Sequence, residues 1–447
     1  MSLFDGKRLT NETFKLDVER MREGWYSDKY FENINRMLSV LSAEGYTYEG
    51  RHHNLPASVS PRNIPTGDIE VEMQWFCRRP GTTVVVGVDK ALAMLKHSSG
   101  YIEGDVFVDT SGDLEMWAVE DGCTVVYDGD PTGIQPVLRV RGRYRDFALL
   151  ETPTLGILTR SSRVATNVYQ TFVAARGKPV LFFPARFDLH EVQAADGYAY
   201  NIAVQRFNLD HAKELGAFIS TDAQGDWWGG AGGGTVAHAA IASFLGDTAE
   251  AMLQFARVLP ASIPRIALVD FNNDSVRDSL YVLDTLFEKY RELMTAGNAE
   301  EAAKYKLYGV RLDTSGSIRD VSVPPLGDAA LDLGVTPRLV FNVRQGLDSA
   351  WKRWSLPASW QEAAREYCEG VKIVVSGGFN PDKIRKFEHL SVPVDIYAVG
   401  SYLFNNNGAT VTDFTADVVR VKVHGAWVDM AKVGRKPRDN PDLKRVW

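Results

Sequence analysis

Cysteine is scarce in these 447 residues: Cys77, Cys123 and Cys368 lie far apart and match no zinc or disulfide spacing. Their scarcity fits a reducing compartment. Long apolar runs are missing too. No stretch is long enough to span a bilayer, and the opening Met-Ser-Leu-Phe-Asp-Gly-Lys-Arg lacks the apolar core of a signal peptide, so a cytoplasmic location with no membrane partner is expected. Nor is there a basic excess. With 50 Lys and Arg against 57 Asp and Glu, the formal net charge is −7, which argues against a nucleic-acid partner. No internal repeat, no low-complexity stretch and no G-x-G-x-x-G turn of a dinucleotide-binding sheet stands out.

What is present is an ordinary globular composition, 45% hydrophobic and 24% charged, in a chain long enough for two domains. Up to about residue 145 the pattern mixes an amphipathic helix at 28–41 with alternating strands at 69–76 and 136–144, as in an α+β unit. Beyond Glu151, short apolar strands at 180–183, 217–220, 265–271, 307–313, 371–376 and 394–401 alternate with helical segments at 191–207, 236–256, 275–294 and 361–369. Such alternation implies an α/β fold with a parallel sheet, either a barrel or an open doubly wound sheet. The tail at 416–430 returns to alternating strands and is expected to pair back onto the N-terminal unit.

Side chains at the C-terminal ends of parallel strands line the sites of such folds, and that filter selects a short set. Arg186 follows the strand at 180, Asp222 the strand at 217, and Asp270 ends the strand at 265. Arg311 and Asp313 end the strand at 307. Two apolar strands break into small-residue turns, Ser376-Gly377-Gly378 and Gly400-Ser401, where glycine lets backbone N–H groups approach a phosphate closely. Arginines that bind phosphate or carboxylate bidentately and aspartates that hold Mg²⁺ on pyrophosphate would use this inventory. The alternative is that Arg186 and Arg311 pair with aspartates to stabilise the sheet mouth.

Gly232-Gly-Gly-Thr235-Val-Ala-His238 leads into small apolar residues, placing Thr235 near a helix cap and His238 in the first turn. A histidine there either meets an anion, acts as a nucleophile towards a phosphoryl group, or serves as a hydrogen-bonded structural residue. His97, His190 and His211 carry no comparable context, and His52-His53 lacks a second pair of metal ligands. Trp227-Trp228, beside Gly229-Gly230, reads as a packed loop more than a mobile lid.

In order, these segments resemble the nicotinate phosphoribosyltransferase family, the type II phosphoribosyltransferases. Trp25-Tyr-Ser-Asp28-Lys-Tyr30-Phe31 resembles its N-terminal Tyr-x-x-Asp-x-Tyr segment, and Val140–Phe147 with Glu151-Thr-Pro153 its entry to the barrel domain. Gly234-Thr235-Val-Ala-His238 is similar to its Gly-Thr-x-x-His motif. Val310-Arg311-Leu-Asp313, Val375-Ser376-Gly377-Gly378 and Ala398-Val399-Gly400-Ser401 are similar to its three phosphate-end motifs. The resemblance implies an irregular (β/α) TIM-like barrel at 146–404 and an α+β sandwich at 1–145 completed by 405–447. It also implies dimers, or higher homo-oligomers, with sites at the interface. The implied reaction couples 5-phosphoribosyl 1-pyrophosphate to nicotinate, with Mg²⁺ and, through phosphorylation of His238, ATP. By the same resemblance Ser376, Gly377, Gly378, Gly400 and Ser401 hold the 5′-phosphate. Arg311 faces the ring's acidic substituent or the donor phosphates, and Asp313 and Asp270 lie near ribose, Mg²⁺ or pyrophosphate. Phe183 and Tyr30 of a second subunit sandwich the ring.

Four departures from the family pattern stand out. Arg186-Phe187 replaces an Arg-Arg pair, Asp313-Thr-Ser-Gly-Ser317 loses a carboxylate, Asp270-Phe-Asn-Asn-Asp274 replaces Asp-Thr-Tyr-Asp, and Ala239 follows His238 where many members have glutamate. Asp222 matches the carboxylate that nicotinamide-specific relatives use to hold the amide. The expected order of substrates is therefore nicotinate, then nicotinamide, then quinolinate. The rival outside the enzymes is a non-catalytic paralogue that binds a pyridine mononucleotide.

Overall fold

The computed structural model describes residues 6–446. The chain packs as two compact units, one of residues up to 169 with 194–212 and 405 onward, the other of residues 170–193 with 213–404. Helix Gln193–His211, which the sequence reading assigns to the second domain, groups with the first unit. Its buried apolar residues are joined there by two polar contacts. Arg160 grips the buried Asp196 bidentately at 2.9 Å, and Tyr198 donates to Asp121 at 3.3 Å.

In the first unit the main sheet is antiparallel and runs in the order Ala426–Asp429, Phe414–Val423, Glu70–Cys77, Pro136–Arg143, Glu115–Ala118, Lys444–Arg445. The tail thus lies beside the central strand, with Trp75 opposite Ala416 on one side and Leu138 on the other. Alternation explains one face of that strand: Val71, Met73, Trp75 and Cys77 enter the core. Its other face is polar and also buried. Glu72, fully buried, receives Arg141 at 2.6 Å and Arg420 at 2.8 Å, so one carboxylate joins three strands from both halves of the sequence.

The second unit holds a five-stranded parallel sheet in the order Val180–Phe182, Ile396–Val399, Lys372–Val375, Leu307–Leu312, Arg265–Leu268. Consecutive apolar residues suit strands covered on both faces, and Ile396–Val399 and Arg265–Leu268 are buried throughout. The expected strand at 217–220 is reduced to a single parallel bridge, Phe182 to Ile219. Gln224 ends this segment. Its side-chain Oε1 accepts from the N–H groups of Ser220 and Thr221 at 2.9 and 3.2 Å, removing them from any ladder. The expected helix at 236–256 is likewise two helices, His238–Ser243 and Thr248–Val258. Between them Leu245 and Gly246 turn left-handed, with φ of 57° and 86°, and Asp247 caps the second helix by accepting from Glu250 N–H. No helix among the described residues is long and apolar enough to cross a membrane.

Breaking a buried charge cluster by removing its shared partner strands the rest. Glu72→Ala is therefore expected to destabilise the first unit by about 3–5 kcal/mol. Denaturant titration with limited proteolysis of the tail checks this; an unchanged midpoint would remove Glu72 from its role.

Candidate functional site

The C-terminal ends of the parallel strands open onto one cavity of about 360 Å³. Phe183 and the short turn Ala185–Phe187, carrying Arg186, contribute from the first strand. Arg311 and Asp313 come from the strand at 307, and Ser376, Gly377 and Gly378 from the strand at 372. Gly400 and Ser401 follow the strand at 396, and the glycine-rich loop adds Thr235. Ten of the residues that the sequence singled out therefore share one wall.

A three-way contact sets its electrostatics. Arg311 donates from Nε to Ser376 Oγ at 2.9 Å and from Nη2 to Asp313 Oδ2 at 3.1 Å, while Ser376 donates to Asp313 Oδ1 at 2.6 Å. The Arg311 guanidinium also lies 5.3 Å from the centre of the Phe183 ring. A planar cation held against an aromatic face makes a slot suited to a flat, acidic ring.

Backbone donors stand open on the same wall. Gly377 and Gly378 adopt φ of 85° and 67°, which a side chain would strain. Among the described residues the N–H groups of Gly377, Gly378, Phe379, Gly400 and Ser401 meet no protein acceptor. At Gly400 the need for glycine is steric, since a Cβ would come within 2.7 Å of Phe187 Cε2 and 3.3 Å of the Phe183 carbonyl oxygen.

Other expected site residues lie off this wall. His238 Nε2 meets both oxygens of Asp270 at 3.1 and 3.2 Å. Burial pushes the Asp270 carboxyl above its ordinary range, opposed by the hydrogen bond from His238 and reinforced by the charge of Asp313. Asp222 Oδ1 accepts from Gly232 N–H at 2.8 Å, bracing the glycine-rich loop instead of lining the cavity. Tyr30 belongs to the other unit, where its exposed side chain donates to Asp28 at 3.4 Å. On the wall itself, Thr235 precedes the N-cap, Ala237, by two residues, and this helix start has no side-chain cap hydrogen bond. Trp228 is anchored by its indole N–H to Gln224 O at 2.8 Å, as a packed loop requires.

Lys383 escaped the sequence reading, and Phe187 was noted there only as the residue that replaces an arginine. Phe187 closes over Gly400, and Lys383 donates to the carbonyl of Gly377 at 3.3 Å. The signal for Lys383 was there in Asn380-Pro-Asp-Lys383, a capped helix start that sets Lys383 in the first turn directly behind the glycines.

Since Phe187 fills the space beside Gly400, Gly400→Ala is expected to weaken binding of inorganic phosphate about tenfold through overpacking, with Phe187→Ala restoring it. Calorimetric titration of the single and double variants checks this, and equal affinity in all of them would contradict the steric account.

Residues 62–162 match the family model of the quinolinate phosphoribosyl transferase N-terminal domain. A curated relative, nicotinate phosphoribosyltransferase 1 of Arabidopsis thaliana, is 34% identical over 136 residues, which is 30% of this chain and only 21% of the relative's own length. Among solved structures, nicotinate-nucleotide pyrophosphorylase from Pyrococcus furiosus has a TM-score of 0.61 at 24% identity, covering 95% of this chain and 81% of that one. Human nicotinic acid phosphoribosyltransferase has a TM-score of 0.52 at 15% identity, covering 88% of this chain and 74% of that one. These two likenesses establish a shared fold. Beyond the fold, the sequence likeness is to the N-terminal domain of quinolinate phosphoribosyl transferase over residues 62–162 and to a nicotinate phosphoribosyltransferase over 136 residues.

Proposed function

We propose that this protein transfers the 5-phosphoribosyl group from 5-phosphoribosyl 1-pyrophosphate to nicotinate, giving nicotinate mononucleotide and pyrophosphate. One observation carries the reading: two glycine turns with unpaired N–H groups share a cavity with an arginine laid on an aromatic ring. The turns suit the 5′-phosphate, and Phe183 with Arg311 suits a pyridine carboxylate. The bond from the pyridine nitrogen to C1 forms as the C1–O bond breaks, and the electron pair leaves on pyrophosphate. Catalysis is then positional and electrostatic, with Asp313 on the cavity wall, and Asp270 off it beside His238, as the carboxylates whose charge favours the ribose cation that develops.

Magnesium fits as a companion of the donor. Among the described residues no three His, Cys, Asp or Glu side chains group as a metal site, whereas Asp313 and Asp270 could add oxygens to an ion already bound by pyrophosphate and water. Such an ion supplies charge neutralisation for the leaving group. In this reading the parallel sheet is part of an irregular (β/α) barrel, supported by the Phe182–Ile219 bridge that extends it. A second copy contributes Tyr30, which is 56% exposed.

Nicotinate is favoured over nicotinamide because Arg311 and Arg186 are the charged donors on the wall and Asp222 is committed to Gly232. The test is pyrophosphate release from the donor and Mg²⁺ with nicotinate, nicotinamide or quinolinate, each with and without ATP. Release with nicotinate is expected, and Arg311→Ala should lower kcat/KM about a thousandfold with the fold intact. No release with any base, together with tight binding of the mononucleotide, would make this a binding protein. Asp222→Ser should leave the preference for nicotinate over nicotinamide unchanged; a shift towards either base in competition assays would put the carboxylate at the ring.

A further inference from the structure

The first glycine turn holds two left-handed glycines, which have many conformations open to them and so need a contact that fixes one. Lys383 stands behind that turn. It occupies the first turn of helix Pro381–His389, where Asn380 Oδ1 caps by accepting from Lys383 N–H at 2.9 Å. Its ammonium donates to Gly377 O at 3.3 Å and lies 4.2 Å from the centre of the Phe379 ring. Phe379 is itself buried and wedged against Phe387 and Tyr397, with ring centres 5.0 and 5.6 Å away. The ammonium is thus seated between a fixed ring and the carbonyl of the turn, and it does not belong to the cavity wall.

We propose that Lys383 is a positioning residue for the phosphate turn: it pins the Gly377 carbonyl, leaves the N–H groups of Gly377, Gly378 and Phe379 for the anion, and sets a positive charge behind it. The inference rests on the assignment of Ser376–Gly378 as a phosphate site. Few charges surround the ammonium. Lys386 faces it from the same helix, and Asp382 is engaged by Arg385. On the turn it meets a carbonyl and a ring, and Asp313, beside Gly377, is held by Arg311 and Ser376. With no carboxylate partner, burial and then Lys386 lower the Lys383 pKa to about 8. The charge is therefore present below that pH and lost above it, and a bound anion favours the charged form.

Ribose 5-phosphate is a suitable probe, because a phosphate monoester, with a second pKa near 6, is a dianion throughout pH 7–9. Calorimetry on the full chain is expected to give binding that weakens from pH 7 to pH 9. Lys383→Met should bind about tenfold more weakly at pH 7 and lose that pH dependence. Lys383→Arg, charged at both pH values, should keep the affinity and abolish the decline. Binding by Lys383→Met with the affinity and pH profile of the unsubstituted protein would overturn this proposal alone. No binding by the unsubstituted protein would overturn the phosphate site and the proposal together.

Discussion

Ser376 Oγ lies 2.9 Å from Arg311 and 2.6 Å from Asp313, so one hydroxyl orients both the cation and the carboxylate of the neighbouring strand. That contact follows from register. Arg311 is paired with Val374 and Leu312 with Val375, which brings residue 376 alongside the end of the strand at 307. The hydroxyl donates to one group and accepts from the other, a role that neither alanine nor valine could fill. Because Asp313 and Ser376 hold two edges of the guanidinium, its plane is settled before any ligand arrives, and its face is left against Phe183. Preorganisation of this kind lowers the entropic cost of binding a flat acid.

The same logic of shared partners governs the first unit. Glu72 binds arginines from the strands on either side of its own, and one of those strands comes from the C-terminal tail. A buried carboxylate carries a desolvation penalty that only full pairing offsets, so the cluster favours one register of the tail over its neighbours. In both units a polar group at a strand position fixes geometry that apolar packing alone would leave loose.

Much of this was legible in the sequence. The parallel strands announced themselves as unbroken apolar runs, because both faces are covered, and the glycines marked where backbone donors are exposed. What could not be read was the competition between side chain and backbone. Gln224 takes the Ser220 N–H at the end of the segment 217–220, and Leu245 turns left-handed where periodicity continues a helix. Direction was equally hidden. Nothing in the residue order says that Asp222 turns to Gly232, that Phe187 fills the space at Gly400, or that Lys383 reaches back to Gly377. Each depends on a contact between segments whose spacing in the chain carries no periodic signal.

The central claim is that one cavity at the strand ends takes the phosphate and the pyridine carboxylate of a single mononucleotide. A crystal structure with nicotinate mononucleotide tests it most directly. The account predicts phosphate oxygens at the N–H groups of the 377–379 and 400–401 turns, with the pyridine ring on Phe183 and its carboxylate towards Arg311. A phosphate bound away from both turns, or a ring whose carboxylate meets neither Arg311 nor Arg186, would contradict it.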